Sequence, residues 1–238
     1  MANKTGPKVK VLKDGPYVVS GGPPLEKEIM VMDSEGNPEK WKKTGSYPAK
    51  ETYNLCRCGN SSNKPFCDAT HADKGFCGDE TAKRKSYMEL AEKNPGPGLD
   101  LYDAECYCSI AMFCHKGGDT WTLTEKSDNP ANKKLAIQEA CNCPSGRLVA
   151  WDKELNKSIE PDFKKSISLI EDTKHNVSGP IWLKGGIPIE SSDGYVYEVR
   201  NRMNLCRCGR SKYKPFCDGS HIKAKFNDGD ESVNKRKK

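Results

Sequence analysis

The sequence predicts an α+β protein in which two similar, small β-rich modules flank a different α+β module. The first observation is a repeat: the sixteen residues from Cys56 and the sixteen from Cys206 agree at eleven positions. The second is a Gly-Gly pair between short apolar runs upstream of each copy, a pattern typical of strands joined by a turn. The third is that the stretch between the copies resembles neither, so the chain contains a duplication with an insertion.

The composition indicates modules that metal ions stabilise. Of 238 residues, 35% are hydrophobic and 30% are charged, which is little apolar material for a core. The basic start of the chain has no apolar run behind it, so we expect neither a secretory signal nor a membrane span. In the reducing cytoplasm that this predicts, the twelve cysteines bind metal more readily than they form disulfides.

Each module is predicted to contain three strands and a cysteine-rich loop. In the first module, 7–77, residues 15–26 supply a strand, the Gly-Gly turn and the start of a second strand. A polar excursion then precedes the third strand. The second module, 166–228, repeats this order with a shorter excursion. The alternating stretch 165–172 predicts a strand that returns to this module.

The stretch between the modules is predicted to begin with a helix. Residues 81–94 have an amphipathic pattern that ends at Pro-Gly-Pro-Gly, so 81–98 is predicted to be a helical linker. The central module occupies 99–152, with a helix over 132–140. A basic tail follows at 229–238. Because no aromatic residues interleave with that tail and the net charge is only +6, we expect no nucleic-acid partner.

Each repeated segment has the spacing Cys-x-Cys-x8-Cys-x3-His. The first two cysteines alternate along an extended stretch, and the glycine after them, Gly59 or Gly209, supplies the turn that brings both thiolates to one centre. The third cysteine precedes an aspartate predicted to cap a short helix, whose first turn carries the histidine. Three sulfurs and one nitrogen suit tetrahedral Zn²⁺ or an iron–sulfur centre, and a Cys-x-Cys pair is less usual in structural zinc sites.

The second copy resembles the signature of the CDGSH (NEET) iron–sulfur family. The matching residues are Cys206-x-Cys208, Ser211, Lys214-Pro215-Phe216 and the sequence CDGSH at 217–221. The resemblance implies a [2Fe–2S] cluster in each copy, with two cysteines on one iron and a cysteine and a histidine on the other. The implied ligands are Cys206, Cys208, Cys217 and His221 in the second copy, and Cys56, Cys58, Cys67 and His71 in the first.

The first copy departs from this signature. It has Ala69 and Thr70 where the second has Gly219 and Ser220, which predicts a shifted helix start and altered hydrogen bonding to the cluster. Side chains beside the ligands are candidates for cluster binding in both copies: Ser61, Lys64 and Asp68, and Ser211, Lys214 and Asp218. The lysines, together with Arg57 and Arg207, either tune the centres through their charge or are solvated surface residues.

The single histidine in each set favours a redox role. Replacing a thiolate with neutral imidazole removes a negative charge and raises the reduction potential. Imidazole also titrates near neutral pH, so protonation of its metal-bound nitrogen would release the cluster. The leading hypothesis is therefore electron transfer. The alternatives are an iron–sulfur cluster transfer or redox/pH-sensing protein, and a structural zinc protein.

The central module has a second cysteine pattern. Cys108-x2-Ala111-x2-Cys114 follows the rhythm of a bacterial ferredoxin motif without its middle cysteine, and Cys143-Pro144 resembles the distal Cys-Pro. The segment resembles a divergent, single-cluster ferredoxin domain, although Ile110 stands where family members often have a histidine. This implies a [3Fe–4S] cluster on the three cysteines, or a [4Fe–4S] cluster with a fourth ligand. The candidates for that ligand are Cys106, which is preferred, Cys141 and His115.

The remaining residues that attract attention have ordinary explanations. Cys77 fits no motif and is predicted to be a buried, inert thiol. His175 lies in a predicted turn and is expected to be an exposed surface residue. The tryptophans are expected to pack in the core or to shield clusters; they are Trp121, Trp151 and Trp182.

The predicted protein is not an enzyme, although it could serve as the redox subunit of a partner enzyme. No nucleotide fingerprint, phosphate loop or Ser/His/Asp arrangement is present in the sequence. The expected partner is a redox protein or an apo iron–sulfur acceptor, and no membrane partner is expected. Single-motif members of the family are homodimers, so two copies in one chain are expected to form an intramolecular pseudo-dimer. The protein is then a monomer with an internal pseudo-twofold axis.

Overall fold

The computed structural model describes residues 6–48 and 50–233, and the chain folds as a β-rich α+β protein. Residues 1–5 at the basic start of the chain and residues 234–238 of the predicted basic tail lie outside the described residues. Within the described ranges the strands are β1 (Lys8–Val11), β2 (Tyr17–Ser20), β3 (Leu25–Met32), β4 (Pro38–Tyr47), β5 (Thr52–Leu55), β6 (Glu92–Pro95), β7 (Asp100–Asp103), β8 (Leu148–Asp152), β9 (Lys157–Ile159), β10 (Ser166–Asp172), β11 (Val177–Lys184), β12 (Ile189–Glu190) and β13 (Arg202–Leu205).

The helices in the same ranges are short, apart from one. They are α1 (Thr70–Asp73), α2 (Tyr87–Leu90), α3 (Thr120–Glu125), α4 (Pro130–Asn142) and α5 (Ser220–Lys223), with 3₁₀ turns at Glu105–Tyr107, Phe113–His115 and Glu231–Val233. The predicted helix over 132–140 and the predicted strand over 165–172 are confirmed by α4 and β10. Among the described residues, no helix is long and apolar enough to span a bilayer.

The predicted amphipathic helix over 81–94 is wrong in most of its length. Only α2 is helical, and it begins at a capping box between Ser86 and Glu89. Before α2, the backbone N–H groups of Thr81 and Ala82 donate to the Lys214 carbonyl. After it, β6 pairs with β7. Tertiary hydrogen bonds therefore override the helical periodicity on both sides of α2.

Two sheets contain strands from both copies of the repeat. One has the order β12-β1-β2-β5, and the other has the order β13-β11-β10-β3-β4. The strands that follow the Gly-Gly pairs join the sheet of the other copy: β12 pairs in parallel with β1, and β3 pairs in parallel with β10. Each copy thus completes the sheet of the other.

The Gly-Gly turns make this exchange possible. Gly21 and Gly22 have φ of +79° and +60°, and the corresponding Gly185 and Gly186 have +75° and +74°. Two successive residues in this region of φ are strongly disfavoured for any side chain that carries a Cβ. The chain therefore turns out of its own sheet at these points. The predicted order of strand, Gly-Gly turn and strand is confirmed in both copies.

The polar excursion of the first copy is a β-hairpin made by β3 and β4. The hairpin binds the central module: Trp41 donates its indole N–H to the Asn142 carbonyl at 3.0 Å, and Lys116 lies 3.1 Å from Glu39. The Trp41 ring packs against Phe113 and Trp182, with centroid distances of 4.7 and 5.1 Å. The longer excursion of the first copy thus attaches the inserted module to the sheet.

The central module is a four-stranded antiparallel sheet, β6-β7-β8-β9, covered by α3 and α4. Its core contains Leu99, Leu101, Leu123, Ala136, Ala140, Leu148 and Ala150. A second, larger core is shared by the two copies of the repeat and includes Val9, Val19, Leu25, Leu55, Ile167, Ile181, Leu183, Leu205 and Phe216. Because both copies contribute to one core, neither can bury its apolar strand faces alone.

Candidate metal centres

In the first motif, the four predicted ligands form two pairs. The Sγ atoms of Cys56 and Cys58 lie 3.7 Å apart, and Cys67 Sγ lies 3.4 Å from His71 Nδ1. A tetrahedral metal with bonds of about 2.3 Å to sulfur and about 2.1 Å to nitrogen would hold such pairs about 3.8 Å and about 3.6 Å apart. Each pair therefore has the spacing of two ligands on one metal ion.

The second motif repeats this geometry. Cys206 and Cys208 have their Sγ atoms 3.8 Å apart, and Cys217 Sγ lies 3.5 Å from His221 Nδ1. In both copies the third cysteine is fixed by its own backbone, because the amide of Cys67 donates to the Asn54 carbonyl and that of Cys217 donates to the Asn204 carbonyl.

The pairs do not merge into a single tetrahedron. Within residues 6–48 and 50–233, the His, Cys, Asp and Glu ligand atoms that lie within 4.8 Å of one another in groups of three or more belong to Asp14, Cys77 and Asp79. One structural zinc ion would need all four donors of a motif within about 3.8 Å of each other. In each motif the two donors of a pair lie close together, and the two pairs lie further from each other. This arrangement suits two metal ions, so the donor set fits a binuclear iron–sulfur cluster.

The predicted cluster-binding serines and lysines shape the loop itself. Ser61 Oγ donates to the Phe66 carbonyl at 2.7 Å and accepts from the Asn63 amide, and Ser211 does the same with Phe216 and Tyr213. The Lys64 and Lys214 ammonium groups donate to the carbonyls of Ser61 and Ser211, at 2.5 and 2.7 Å. These side chains therefore hold the ligand-bearing loop closed.

The prediction that the aspartates cap the helices at their N-cap positions is wrong by one residue. Helices α1 and α5 have Ala69 and Gly219 at their N-caps, with φ of +70° and +80°. Asp68 instead joins the start of the helix to the loop, because it accepts from the amides of Ser62 and Thr70. Hydrogen bonds from Ser62 and Thr70 lower the pKa of Asp68. Asp218 makes the equivalent bonds to Lys212 and Ser220.

The expected shift of the helix start in the first copy is also wrong. Helix α1 begins at Thr70 and α5 begins at Ser220, which are the same place in the repeat. Ala69 adopts the left-handed conformation that Gly219 has in the second copy. The glycine is needed only in the second copy, because a Cβ on Gly219 would overlap the Ile110 side chain of the central module.

Gly59 and Gly209 form the predicted turns, with φ of +77° and +75°. They also bring the two motifs together. A Cβ on Gly59 would lie 2.6 Å from the Cys208 carbonyl oxygen, and a Cβ on Gly209 would overlap the Cys58 carbonyl in the same way. The two ligand loops are thus packed against each other, backbone to backbone.

Burial makes most of the ligand thiols reluctant to ionise without a metal. It raises the pKa of Cys58, Cys67 and Cys217. Cys206 is different: a hydrogen bond with Cys208 is the main cause that lowers its pKa to about 7, against the effect of burial, and amides of the loop and the Lys214 charge assist. Iron bound as a cation would compensate the thiolate charges that burial disfavours.

Arg57 and Arg207 are completely buried, so the alternative of solvated surface residues is wrong for both. Arg57 donates to the carbonyls of Leu12, Gly15 and Gly78. Arg207 donates to the corresponding carbonyls of Ile170 and Gly179, and it pairs with Glu171 and Asp228 at 2.8 and 2.9 Å. Each guanidinium group therefore ties its ligand loop to a neighbouring hairpin, Arg57 to the β1–β2 hairpin and Arg207 to the β10–β11 hairpin.

The two motifs differ in exposure. Cys67 and His71 are half-buried, whereas Cys217 and His221 are buried. The central module covers part of the second motif, because Ile110 packs on Gly219 and the Asn204 side-chain amide donates to Ser109 Oγ at 2.8 Å, while His221 faces Asp172 at the end of β10. The first motif therefore opens to solvent, and the second lies under the inserted module.

A buried carboxylate stands behind the second-motif histidine. Asp172 Oδ2 lies 3.8 Å from His221 Nε2 and 2.8 Å from His175 Nδ1. Burial would raise the pKa of Asp172, but the His175 and His221 side chains lower it to about 2. The predicted turn at His175 is confirmed, whereas its predicted full exposure is wrong because the ring packs on Asp172.

The central module gathers four of its candidate ligands. Cys108, Cys114, Cys143 and His115 line one cavity of about 120 Å³, together with Ile110, Ser145 and Arg147. Burial is the main cause that raises the pKa of Cys114 to about 12. Two residues of the loop, Ile110 and Met112, have φ of +58° and +61°, a conformation that is strained for such side chains.

The other two candidates for the fourth ligand are not among the residues that line this cavity. Cys106 lines a neighbouring surface pocket with Tyr213 and Asp218. Cys141 Sγ lies 3.7 Å from the Ile159 carbonyl oxygen. Arg147 is held at the cavity by Asp103, with 2.6 and 2.8 Å between the paired atoms. The cavity is thus lined by three thiols, one imidazole and one fixed cation.

The prediction that Cys77 is buried is wrong. It is exposed, because the chain returns to the surface after α1, and its thiol donates to Asp79 at 3.3 Å. Trp182 is confirmed as a core residue, since only 1% of it is exposed. The Arg147 guanidinium carbon lies over the Trp121 ring, 5.3 Å from the ring centroid. Trp151 is half-buried on β8.

Comparison with protein-family models agrees with this geometry. The family described as iron-binding zinc finger CDGSH type matches residues 14–72 and 178–222. The family described as divergent 4Fe-4S mono-cluster matches residues 94–153. No curated protein and no solved structure matches the chain.

Paired donors in two motifs and a cysteine-lined cavity define a protein that binds iron–sulfur clusters. The chain carries two domains that match the CDGSH type, with a domain that matches the divergent 4Fe–4S mono-cluster type between them.

Proposed function

We propose that the protein transfers electrons through three iron–sulfur centres, two [2Fe–2S] clusters at the CDGSH motifs and one [4Fe–4S] or [3Fe–4S] cluster in the central domain. The observation that carries this proposal is the separation of each motif's donors into two pairs with the spacing of ligands on one metal. When bound, the clusters supply one-electron redox chemistry.

In this proposal, the ligands are the residues that the sequence predicted. Cys56, Cys58, Cys67 and His71 hold the first cluster, and Cys206, Cys208, Cys217 and His221 hold the second. Cys108, Cys114 and Cys143 hold the central one. The place of His115 in the same cavity favours it over Cys106 as the fourth ligand of a [4Fe–4S] cluster. Cys106 remains a prediction that the geometry does not support.

The contacts between the three sites support a relay. The central loop packs on the second motif through Ile110 and Gly219, and the second motif packs on the first through Cys208 and Gly59. Among the ligands of the two CDGSH motifs, Cys67 and His71 of the first are partly exposed, whereas those of the second are buried. The central-domain ligands Cys108, Cys114 and Cys143 are partly exposed as well. Partner redox proteins would therefore exchange electrons at the two ends of the relay, the first motif and the central domain, with the second motif between them. The chain itself then acts as a carrier, or as the redox subunit of a partner enzyme.

We also propose that the two CDGSH domains form an intramolecular pseudo-dimer. The parallel pairing of β1 with β12 and of β3 with β10 gives each sheet a strand from the other copy. The shared core and the reciprocal contacts of Gly59 and Gly209 support the same arrangement. A monomer with an internal pseudo-twofold axis is expected, and analytical ultracentrifugation of the full chain tests it.

Stepwise reduction tests the proposed electron transfer. Protein purified without oxygen should be bleached by dithionite, and its visible bands should return when an oxidant is added. Electron paramagnetic resonance should show signals of reduced [2Fe–2S] centres. Clusters that cannot be reduced and reoxidised without loss of iron would contradict electron transfer.

The exposure of the first motif favours one second candidate, transfer of a [2Fe–2S] cluster to an apo acceptor. Cys67 and His71 are reachable by a partner's thiols, whereas Cys217 and His221 are buried. Incubation with an apo [2Fe–2S] ferredoxin should then move one cluster per chain and leave the second in place. If no cluster moves between pH 5.5 and 8, this candidate fails.

A further inference from the structure

The histidine of the second motif faces a buried carboxylate on the side away from its partner cysteine. His221 Nδ1 lies 3.5 Å from Cys217 Sγ. Its other ring nitrogen, Nε2, lies 3.8 Å from Asp172 Oδ2, and the two side chains are only 2% and 1% exposed. Within the described part of the chain, Nε2 has no hydrogen-bond partner. A buried polar nitrogen without a partner calls for a functional explanation.

The protonation of the ring explains this arrangement. A neutral imidazole that binds metal through Nδ1 must carry its proton on Nε2. That N–H is then directed to the side of the ring where Asp172 lies. In metal sites, a carboxylate on the outer nitrogen of a histidine fixes the tautomer and makes the ring a stronger donor.

Asp172 is held in place independently of His221. Its Oδ1 accepts from the His175 backbone amide at 3.0 Å, and its Oδ2 lies 2.8 Å from His175 Nδ1. Both bonds belong to the turn that joins β10 to β11. The carboxylate is therefore positioned by its own turn and not by its contact with His221.

In the first motif, the corresponding carboxylate makes a different contact. Arg57 donates to the Leu12 carbonyl, and Arg207 donates to the Ile170 carbonyl, so these two positions correspond. Asp14 and Asp172 each lie two residues later and therefore correspond as well. Asp14 Oδ1 instead accepts from the Gly78 amide at 2.7 Å. Among residues 6–48 and 50–233, no carboxylate oxygen lies within 4.0 Å of a His71 ring nitrogen. Two motifs with the same ligand types thus differ in what stands behind the histidine.

We propose that Asp172 is a positioning residue for His221 that lowers the reduction potential of the second centre relative to the same centre without the carboxylate. The inference rests on the proposed [2Fe–2S] cluster at the second motif. A negative charge on the outer nitrogen stabilises the more positive, oxidised state of the site. The first centre has no such carboxylate, so the duplication yields two centres with different potentials.

Redox titration of the full chain, followed by electron paramagnetic resonance, tests this proposal. His71→Cys and His221→Cys assign the two [2Fe–2S] signals, because each changes the ligands of one centre. Asp172→Asn, which removes the charge and keeps the shape, should raise the midpoint potential of the second centre only. Asp172→Glu should stay near the wild-type value. Asp193→Asn, at the exposed ion pair with Arg84, is the control and should change neither potential.

The possible outcomes separate this inference from the proposed function. Wild-type protein without a [2Fe–2S] signal would contradict the proposed function itself. An unchanged second potential in Asp172→Asn, or an equal shift of both centres, would overturn the role of Asp172. Partial loading does not obscure the result, because a midpoint potential does not depend on the fraction of chains that carry the cluster. Loss of the second centre from Asp172→Asn alone would support the need for a carboxylate. Loss from both Asp172 variants would overturn the inference.

Discussion

Gly59 lies against the backbone carbonyl of Cys208, where a Cβ would come within 2.6 Å of the oxygen. The contact joins the ligand loop of one motif to that of the other, and Gly209 makes the reciprocal contact with Cys58. Each glycine therefore has two roles: it forms the turn in its own loop, and its lack of a side chain allows the backbone of the other loop to approach closely.

Gly59→Ala should destabilise the protein and disturb both [2Fe–2S] sites. The left-handed backbone alone costs about 1–2 kcal/mol for a residue with a Cβ, and overlap with Cys208 adds to this. Gly36→Ala is the matched control, because Gly36 has φ of +81° and nothing within 4 Å of its Cβ position. Thermal unfolding should show a larger loss for Gly59→Ala. Equal losses would mean that the loops do not press on each other.

Arg202→Met should destabilise the attachment of the central domain by about 3–5 kcal/mol, as is usual when a buried ion pair loses one partner. Arg202 is fully buried and donates to the carbonyls of Ala140, Cys141, Cys143 and Leu148, and it pairs with Glu160 at 2.7 Å. The substitution leaves these groups without a donor. Denaturant unfolding measures the loss, and the exposed Arg84→Met serves as a control that should change little.

The contribution of Glu171 to stability should fall as pH rises from about 4.5 to about 7. Burial is the main cause that raises its pKa from 4.5 to about 7. A carboxyl group with a higher pKa in the folded chain holds its proton more tightly there. Its contribution to stability is thus complete below pH 4.5 and is lost as pH rises through 7.

Glu171→Gln tests this pH dependence. The difference in unfolding free energy between variant and wild type should move in favour of the variant by up to about 3 kcal/mol between pH 5 and pH 8. The change in this difference with pH is diagnostic, because effects of the substitution that do not depend on ionisation are the same at both pH values. A difference in unfolding free energy that stays constant with pH would contradict the raised pKa of Glu171. The exposed Glu154→Gln should show no such trend.

Cys143→Ser should remove the signal of the central cluster and leave both [2Fe–2S] signals. Cys143 lines the central cavity, whereas Cys141, two residues earlier, faces the Ile159 carbonyl. Cys141→Ser is therefore the matched control and should keep all the signals. Electron paramagnetic resonance and iron content measure both variants. Loss of the central cluster from Cys141→Ser would reassign the ligands.

Local patterns predicted the ligand motifs, because their geometry depends on residues close in sequence. The spacing of Cys206, Cys208, Cys217 and His221 gives the two donor pairs, and glycine after the first pair indicates the turn. Likewise, α4 and β10 follow from the periodicity of their own residues.

Features that depend on distant contacts could not be predicted. The exchange of β3 and β12 depends on two Gly-Gly turns placed 164 residues apart in the chain. In the segment 81–94, hydrogen bonds to the Lys214 carbonyl replace the first turns of the predicted helix. No local sequence pattern predicts that Arg207 is buried, because its partners Glu171 and Asp228 are distant in sequence. Asp172 likewise reaches His221 only because β10 returns behind α5.

The count of iron and acid-labile sulfide in the full chain, purified without oxygen, tests the central claim most directly. Two [2Fe–2S] clusters and one [4Fe–4S] cluster predict about eight iron and about eight sulfide atoms per chain, and a [3Fe–4S] centre lowers the iron to about seven. A folded chain that contains zinc, with neither iron nor sulfide, would contradict the account.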